Sequence, residues 1–404
     1  MVIILFDTKA RQNLYPLAQI RAVSGLRCGI FSPKERWEMI SGLPVYVHTA
    51  PYLMCLYEQI PQEEYLWIDA SVCDEASLRS QILLLQPGEA LEDEHGLVAG
   101  RISLDQSRFD FSEPEKFFDK ISVVENVVRL QFPWQIFQWN DEQIRKDFLL
   151  IFSRITTQPI SETNQVIQPE NIIIEEGAVV EHCIINASSG PVYIGKNATV
   201  MEGSMIRGPV AICEGAVIKM GTKLYGATTI GPYCTAGGEI KNSLMQSFSN
   251  KAHEGYLGDS VLGSWCNLGA GTSNSNIKNT ASEVNAWHNE SNEFVNVGLK
   301  CGMIMGDYSR TAINTSINTG SVIGICCNVF GEGFAPRNIQ NFNWGFQNRN
   351  VYDLEKAIRD INNWQKLKGK ELTVEEVSVL RYIFEQENGK IIKTQHQAVS
   401  SNKH

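Results

Sequence analysis

The sequence lacks C-x-x-C cysteine pairs, long apolar runs and a net positive charge, and each absence excludes some classes of protein. The ten cysteines include no C-x-x-C pair and recur at small apolar positions, so we expect most to be buried, reduced thiols of a cytoplasmic protein. No stretch approaches the roughly 18 apolar residues that span a bilayer. The net charge of −10 argues against nucleic acid or an anionic membrane as a partner. The opening run Val2-Ile3-Ile4-Leu5-Phe6 predicts a first strand, not a signal peptide.

The length predicts more than one domain. A chain of 404 residues exceeds one ordinary core, and 43% hydrophobic with 20% charged residues is typical of a globular protein. Alternating apolar patterns predict an α/β domain over 1–160, followed by a polar linker over 157–171. The central repeat spans 170–333. An irregular segment and two C-terminal helices are expected over 334–404, with helical spacing in 351–386.

The middle of the chain follows neither the helical nor the strand period. Seven aliphatic residues recur at intervals of six: Ile194, Val200, Ile206, Ile212, Ile218, Leu224 and Ile230. Small or β-branched residues stand two positions before each of them, and the phase returns at Leu262, Leu268 and Met305. A strand and a turn every six residues, with three such units to a coil, predict a parallel β-helix. The stretch resembles hexapeptide-repeat proteins, and that resemblance implies a left-handed coil.

The six-residue phase is lost between Ala236 and Leu257 and again between Thr272 and Val297. Insertions leave such coils as loops, where functional residues commonly lie. We therefore look for chemistry between these two breaks.

A compound motif occupies that segment. It reads H-x-x-Y-L-G-D from His253 to Asp259, then N-L-G-A-G-T from Asn267, eight residues after the aspartate, with Asn276 nine residues further on. These motifs and spacings resemble the bifunctional UDP-N-acetylglucosamine pyrophosphorylase/glucosamine-1-phosphate N-acetyltransferase family, over about 172–333 and more loosely over the N-terminal domain. The resemblance implies a hexapeptide-repeat acyltransferase.

The resemblance implies a role for individual residues of the motif. His253 falls on the family's catalytic base. Tyr256, Asn267 and Asn276 fall on residues that contact the amino-sugar phosphate, and Lys241 falls on a lysine that holds the phosphate. Each has a simpler interpretation: a solvated histidine, a packing tyrosine, a corner asparagine or a surface lysine.

The acyl donor has its own expected binding segment. Gly269, Ala270 and Gly271 match the stretch against which the family lays acetyl-CoA. The family's upstream phosphate-binding arginine has no direct counterpart, and Lys219 or Lys223 could replace it. The family's tyrosine-aspartate-glycine after the last asparagine is also absent over residues 277–279.

The chemistry makes these residue types sensible in themselves. An amine must lose a proton to attack a thioester, and imidazole suits that role near neutral pH. Backbone N–H groups at glycine-rich turns can stabilise the oxyanion.

The N-terminal domain lacks the glycine loop with which sugar nucleotidyltransferases wrap a triphosphate. The R-x-x-L-x-P-L run from Arg11, with Arg21 and Arg27, resembles a variant branch of those enzymes fused to the same β-helix. This resemblance implies nucleotide binding by Arg11, Arg21 and Arg27, with Mg²⁺ if the domain is active. Arg21, Arg27 and the nearby Arg36 could equally be ordinary surface residues. Asp69 and Asp74 are the only candidate metal ligands, and the metal site is unknown.

We therefore expect a cytoplasmic homotrimer of cell-envelope precursor synthesis. It would N-acetylate an amino-sugar 1-phosphate with acetyl-CoA and couple this to nucleotidyl transfer from UTP. One alternative is a nucleotidyltransferase whose β-helix only oligomerises or regulates. Another is an inactive trimeric scaffold that binds sugar nucleotides.

Overall fold

A computed structural model describes residues 1–73, 75–102, 116–347 and 350–401, with side chains up to residue 387. The N-terminal part is a six-stranded mixed sheet with helices against it. Its strands are β1 (Val2–Phe6), β2 (Val45–His48), β3 (Tyr65–Asp69), β4 (Glu89–Asp93), β5 (Gly96–Ile102) and β6 (Lys120–Val123), in the order β2-β1-β3-β5-β4-β6. Its helices are α1 (Pro33–Ser41), α2 (Ala76–Leu84) and α3 (Gln135–Phe152). The five apolar residues of β1 are all buried because both faces of the sheet are covered: Ile3 and Leu5 enter one apolar cluster, and Val2, Ile4 and Phe6 enter another.

The next part is a left-handed parallel β-helix with three faces, as predicted. The first face contains β7 (Gln165–Ile167), β10 (Ile184–Asn186), β13 (Met205–Arg207), β16 (Lys223–Tyr225), β19 (Glu239–Lys241) and β22 (Tyr256–Gly258). The second contains β8 (Ile172–Ile174), β11 (Val192–Ile194), β14 (Val210–Ile212), β17 (Thr228–Ile230), β20 (Leu244–Met245), β23 (Val261–Leu262), β28 (Met303–Met305), β31 (Ser321–Ile323) and β33 (Asn338–Ile339). The third contains β9 (Val179–Val180), β12 (Thr199–Val200), β15 (Val217–Ile218), β18 (Thr235–Ala236), β21 (Asn250–Lys251), β24 (Asn267–Leu268), β29 (Arg310–Thr311) and β32 (Asn328–Val329). Further along the chain, β25 (Ser273–Asn274) pairs with β30 (Ser316–Ile317).

The six-residue period is confirmed as the core of the coils. All seven aliphatic residues from Ile194 to Ile230 lie in one continuous buried cluster. The coiled strands run from Gln165 to Ile339, so they extend beyond 170–333 at both ends. Part of the predicted linker therefore already belongs to the first coil.

The first break in the phase is not a loop. The strands β19, β20 and β21 pair with coils on both sides, so the chain stays in the solenoid. The phase shifts because turns are shortened: Ala236 to Ile240 spans four residues, and Ile240 to Met245 spans five. The predicted insertion is wrong here, because a deletion disturbs a period as much as an insertion does.

The second break is an insertion, as predicted. The chain leaves the coil after β25 and forms an antiparallel hairpin of β26 (Val284–His288) and β27 (Glu293–Gly298) before it returns at β28. Val284 and Ala286 of the hairpin are buried in the same apolar cluster as residues of the N-terminal domain. The hairpin therefore packs between the β-helix and that domain.

The N-terminal domain covers the second face of the β-helix. Leu244, Val261 and Ile304 from this face share an apolar cluster with Trp134 and Ile136. Polar contacts reinforce the junction. The amide of Arg27 donates to Gln246 Oε1 at 3.0 Å, and Gln246 Nε2 donates back to the Arg27 carbonyl at 3.1 Å. Most strands of the second face are thus buried on both sides.

The C-terminal helices are α4 (Leu354–Lys366) and α5 (Val374–Ser401), as the helical spacing predicts. They pack on the corner between the second and third faces, where Leu354 and Leu380 join Tyr308 and Phe342 in one cluster. All ten cysteines are free thiols, and seven are buried. No helix within the described ranges is long and apolar enough to cross a membrane.

Candidate functional site

His253 lies where the third face turns into the first. Successive coils stack their turns at this corner: the Gly271 amide donates to the Glu254 carbonyl at 3.0 Å, and the Asn314 amide donates to the Ala270 carbonyl at 2.7 Å. We call residues 250–256 and 267–273 the histidine corner. It brings His253 within one coil of the turn formed by residues 269–272.

The His253 side chain is exposed at the tip of its turn. Within the described ranges its imidazole neither donates nor accepts a hydrogen bond, although its carbonyl accepts one from Lys251 Nζ. The imidazole is thus free to accept a proton from a bound molecule, as a general base requires.

Tyr256 and Asn276 are brought together on the first-face side of the corner. Asn276 Nδ2 donates to the Tyr256 hydroxyl at 3.1 Å and also donates to Asp259. Asn242 Nδ2 donates to the second Asp259 oxygen at 2.7 Å. Burial, and then the Asp259 carboxylate, raise the pKa of Tyr256, so its phenol stays protonated. Because its oxygen already accepts from Asn276, the phenol proton can point towards a ligand.

Lys241 lies on β19, the strand next to Tyr256. Glu239 pairs with Tyr256 and Lys241 pairs with Gly258 in the ladder. Lys241 Nζ lies 5.7 Å from the centre of the Tyr225 ring, and it forms no ion pair with a described carboxylate. A cation without a partner near Tyr256 suits an anionic group.

The two lysines considered for the upstream phosphate contact take different places. Lys223 is exposed on β16, in the ladder row that continues through Glu239 to Tyr256. Lys219 follows β15, earlier at the same corner. Lys223 therefore lies on the face that carries Tyr256 and Lys241.

Asn267 lies on the opposite, third-face side of the histidine corner. Its Oδ1 accepts a hydrogen bond from Asn250 Nδ2 at 2.7 Å. It is not in direct hydrogen-bonding contact with Tyr256 or Asn276. The corner thus holds His253 between two separate polar groups, one on each face.

Residues 269–271 form a turn in which a side chain would not fit at two positions. A Cβ on Gly269 would collide with the backbone of Ala312, and Gly271 has a φ of 75°. Stacking of the coils therefore explains these glycines without any ligand. In the described part of the chain the Ala270 amide donates to no acceptor. It is a free donor one coil from His253.

The three N-terminal arginines are held by the protein itself. Arg11 donates to the Ala18 carbonyl and to the Tyr15 hydroxyl at 3.1 Å. Arg21 pairs with Asp307 at 2.5 Å.

The third, Arg27, donates to the Ile30 carbonyl and pairs with Glu35 at 2.8 Å. Arg27 and Arg36 are buried, so the alternative interpretation of these two as surface residues is wrong, and Arg11 is buried as well. Their internal contacts leave none of the three arginines presented to a phosphate in this arrangement.

The carboxylates at the ends of β1 and β3 are also engaged internally. Asp7 accepts from the Val23 amide at 3.0 Å and from the Thr49 hydroxyl at 2.5 Å, and burial raises its pKa to about 7. Asp69 accepts from Arg129 and from the Ser71 hydroxyl at 2.8 Å. Asp74 lies outside the described residues. The described residues contain no cluster of three or more His, Cys, Asp or Glu that could hold a metal ion.

Sequence reasoning missed three residues of the site: Lys251 in the histidine corner, and Asp259 and Asn242, which belong to the hydrogen-bonded group of Tyr256 and Asn276. Asp259 stands inside the quoted motif, and burial of an aspartate among polar side chains is a signal that only the structure shows. Lys251 sits 15 residues after the inward-facing Ala236 and 17 before the inward-facing Leu268. It could have been recognised as inward-facing only if the shortened turns had been recognised first.

The chain is similar in sequence to known proteins. Residues 3–155 match the family model of sugar nucleotidyl transferases. The bifunctional protein GlmU of Synechococcus elongatus is 28% identical over 238 residues, which are 53% of this chain and 51% of that protein. The bifunctional sugar-1-phosphate nucleotidylyltransferase/acetyltransferase of Sulfurisphaera tokodaii is 31% identical over 193 residues, 43% of this chain and 46% of that protein. The chain is therefore similar to bifunctional proteins of the GlmU type over about half of its length.

The likeness to these GlmU-like relatives is partial, since the chain spans about half of their length. Among solved structures, the UDP-N-acetylglucosamine acyltransferase of Francisella novicida is 12% identical, with a TM-score of 0.30 over 54% of this chain and 83% of that one. That score is too low to add to the account of the fold. The N-terminal sheet lies within the residues that match the sugar nucleotidyl transferase family model, although it lacks the glycine loop of those enzymes.

Proposed function

We propose that the histidine corner N-acetylates an amino-sugar 1-phosphate with acetyl-CoA. The observation that carries this proposal is the exposed His253 imidazole, without an internal partner, one coil from the free Ala270 amide. The GlmU-like relatives, one of them named as an acetyltransferase, support it. The polar groups of Tyr256, Asn276 and Lys241 on the adjoining face would hold the sugar phosphate.

The chemistry needs only groups that the corner offers. The substrate amine attacks the thioester carbonyl carbon, a C–N bond forms, and His253 removes the proton from the nitrogen. The oxyanion collapses and the C–S bond breaks. The coenzyme A thiolate then leaves and takes up a proton. The Ala270 amide would donate to the oxyanion. Acetyl-CoA would lie against the turn of residues 269–271, and Asn267 would contact the sugar from the other side.

The N-terminal domain supplies the second half of the proposal. Its match to the sugar nucleotidyl transferase family model supports coupling to nucleotidyl transfer from UTP. The internally paired Arg11, Arg21 and Arg27 argue against the binding roles that the sequence suggested for them. A nucleotide would therefore have to be held by other residues, or this domain would only bind and orient the β-helix.

We place the molecule in the cytoplasm as a homotrimer with its threefold axis along the β-helix. The first and third faces carry exposed apolar residues that neither the N-terminal domain nor the C-terminal helices cover, including Val179, Ile184 and Met205. Reduced thiols throughout the core agree with a reducing compartment. Light scattering that gives a stable 45.2 kDa species at micromolar concentration would refute the trimer.

Thiol release from acetyl-CoA, measured across a panel of amino-sugar phosphates, tests the acetyltransferase. Sugar-dependent release is expected. Release without a sugar would be hydrolysis and not transfer. Pyrophosphate formation from UTP, without any thiol release, would favour a nucleotidyltransferase whose β-helix only assembles or regulates it. Inactivity in both assays, with retained binding of UDP-sugars, would favour the inactive scaffold.

A further inference from the structure

Lys251 is a buried cation in an apolar row. It occupies the inward position of the third face, between Ala236 on the preceding coil and Leu268 on the following coil, and it is 2% exposed. On other coils of this face the same position holds Val180, Val200 or Ile218. Burying an ammonium group is unfavourable unless hydrogen bonds compensate for lost water, so this residue requires an explanation.

The hydrogen bonds of Lys251 supply the explanation. Its Nζ donates to the His253 carbonyl at 2.7 Å and to the Gly237 carbonyl at 2.9 Å. Gly237 belongs to the turn directly beneath, where the chain passes from Ala236 to Ile240 in four residues instead of six. The ammonium group therefore ties two stacked turns together, and the upper one carries His253.

No described carboxylate lies within ion-pair distance of Lys251, and the charged group that acts on it is the exposed Glu254. Burial lowers the pKa of Lys251 to about 8. Ordinary core packing does not explain this residue, because the methyl and methylene groups of valine or isoleucine fill the same row elsewhere.

We infer that Lys251 is a positioning residue, which fixes the backbone of the His253 turn and thereby holds the imidazole over the turn of residues 269–271. The inference rests on the proposed acetyl transfer. Displacing a reacting group by about 1 Å can lower a rate about 100-fold, so a loosened turn should reduce turnover more than binding.

The test compares Lys251→Met, which removes both hydrogen bonds, with Lys251→Gln, which keeps an N–H donor without the charge. Ile218→Met is the matched control, because it alters an inward residue of the same row two coils away. For Lys251→Met we expect kcat to fall about 10- to 100-fold while KM for acetyl-CoA changes less than about threefold. The glutamine variant should recover part of kcat, and the Ile218→Met variant should retain it.

Hydrogen exchange provides a readout that does not depend on activity. In Lys251→Met, amides of residues 252–258 should exchange at least about tenfold faster, while the rest of the β-helix keeps its protection. Unchanged exchange in this segment would overturn the inference even if the wild type proves unable to transfer acetyl groups. Faster exchange with unchanged kcat would overturn the positioning role as well.

The glutamine variant decides alone if the methionine variant does not fold. It should then show intermediate exchange over residues 252–258 and a kcat within about tenfold of wild type. If a folded Lys251→Gln protein shows wild-type hydrogen exchange and wild-type kcat, neither the charge nor the length of the lysine side chain is needed. That result would contradict the inference.

Discussion

The histidine corner and the carboxyl-end edge of β1 are the two places where the sequence suggested chemistry. At the corner, the side chains of His253 and Lys241 have no hydrogen-bond or ion-pair partner within the described chain, and a ligand can engage them. At the β1 edge, the side chains of Asp7 and Arg11 are buried and contact the protein itself. Matching residue types are therefore not enough, since the fold decides which side chains keep a polar group free for a ligand.

The largest expected effect is at the corner. Replacing His253 with Ala should lower acetyl transfer by about 10²- to 10⁴-fold, the range for a positioned proton acceptor. The fold and the affinity for acetyl-CoA should stay, because the side chain is exposed and fills no core position. Steady-state thiol release and titration calorimetry measure both. The control is His182→Ala, since His182 is an exposed histidine at the same corner of an earlier coil. Equal losses in both variants would contradict the assignment.

At the junction of the domains the expected effect is on stability. Arg21→Met removes one partner of a pair whose Asp307 carboxylate is fully buried. An unpaired buried charge costs about 3–5 kcal/mol in the free energy of unfolding, which urea denaturation measures. Lys34→Met breaks the exposed Lys34–Glu38 pair and should cost less than about 1 kcal/mol. If affinity for nucleoside triphosphates falls in Arg21→Met while stability is unchanged, Arg21 is a ligand contact after all.

At the β1 edge, Asp7 should make the free energy of unfolding depend on pH. The pKa of Asp7 is raised by burial from 3.8 to about 7 in the folded chain. Between these values the folded state holds a proton that the unfolded state has lost, so this group's contribution is complete below about pH 4 and disappears as pH rises through 7. Asp7→Asn should flatten the free energy of unfolding over this window by about 2–4 kcal/mol. The exposed Asp141→Asn serves as control, and an unchanged slope in Asp7→Asn would contradict the raised pKa.

The smallest effect is expected at Tyr256. Tyr256→Phe removes one hydroxyl that would contact the sugar phosphate in both ground and transition states, so KM for that substrate should rise about 2- to 10-fold with little change in kcat. Tyr233→Phe, at a different corner, is the control. A fall in kcat at unchanged KM would instead give the phenol a part in the chemical step.

The sequence was sufficient for the fold wherever the period held. Seven in-phase aliphatic residues from Ile194 to Ile230 predicted the coil because inward positions of a β-helix admit little else. It was insufficient where turns shortened, since the four-residue step from Ala236 to Ile240 looks like the loss of a coil. The sequence also could not show that the N-terminal domain covers the second face. An apolar residue on a strand looks the same in the sequence whether the core of the coil or a neighbouring domain buries it.

The site was predictable to the same extent. The motif located His253 and Tyr256, because their types and spacing carry the chemistry. The sequence did not predict which side chains pair with each other. Whether Arg21 binds a nucleotide or pairs with Asp307 depends on a contact between residues 286 positions apart in the chain. The burial of Lys251 was not predictable either, because it depends on the two shortened turns, from Ala236 to Ile240 and from Ile240 to Met245.

The most direct measurement follows a labelled acetyl group. Wild-type protein, acetyl-CoA labelled in the acetyl group and an amino-sugar 1-phosphate should give, by mass spectrometry, a product that carries the label on the amine nitrogen. His253→Ala should form it at least about 100-fold more slowly, and His182→Ala at the wild-type rate. Labelled free acetate without an N-acetyl product, or equal product formation by folded His253→Ala, would contradict acetyl transfer by the histidine corner.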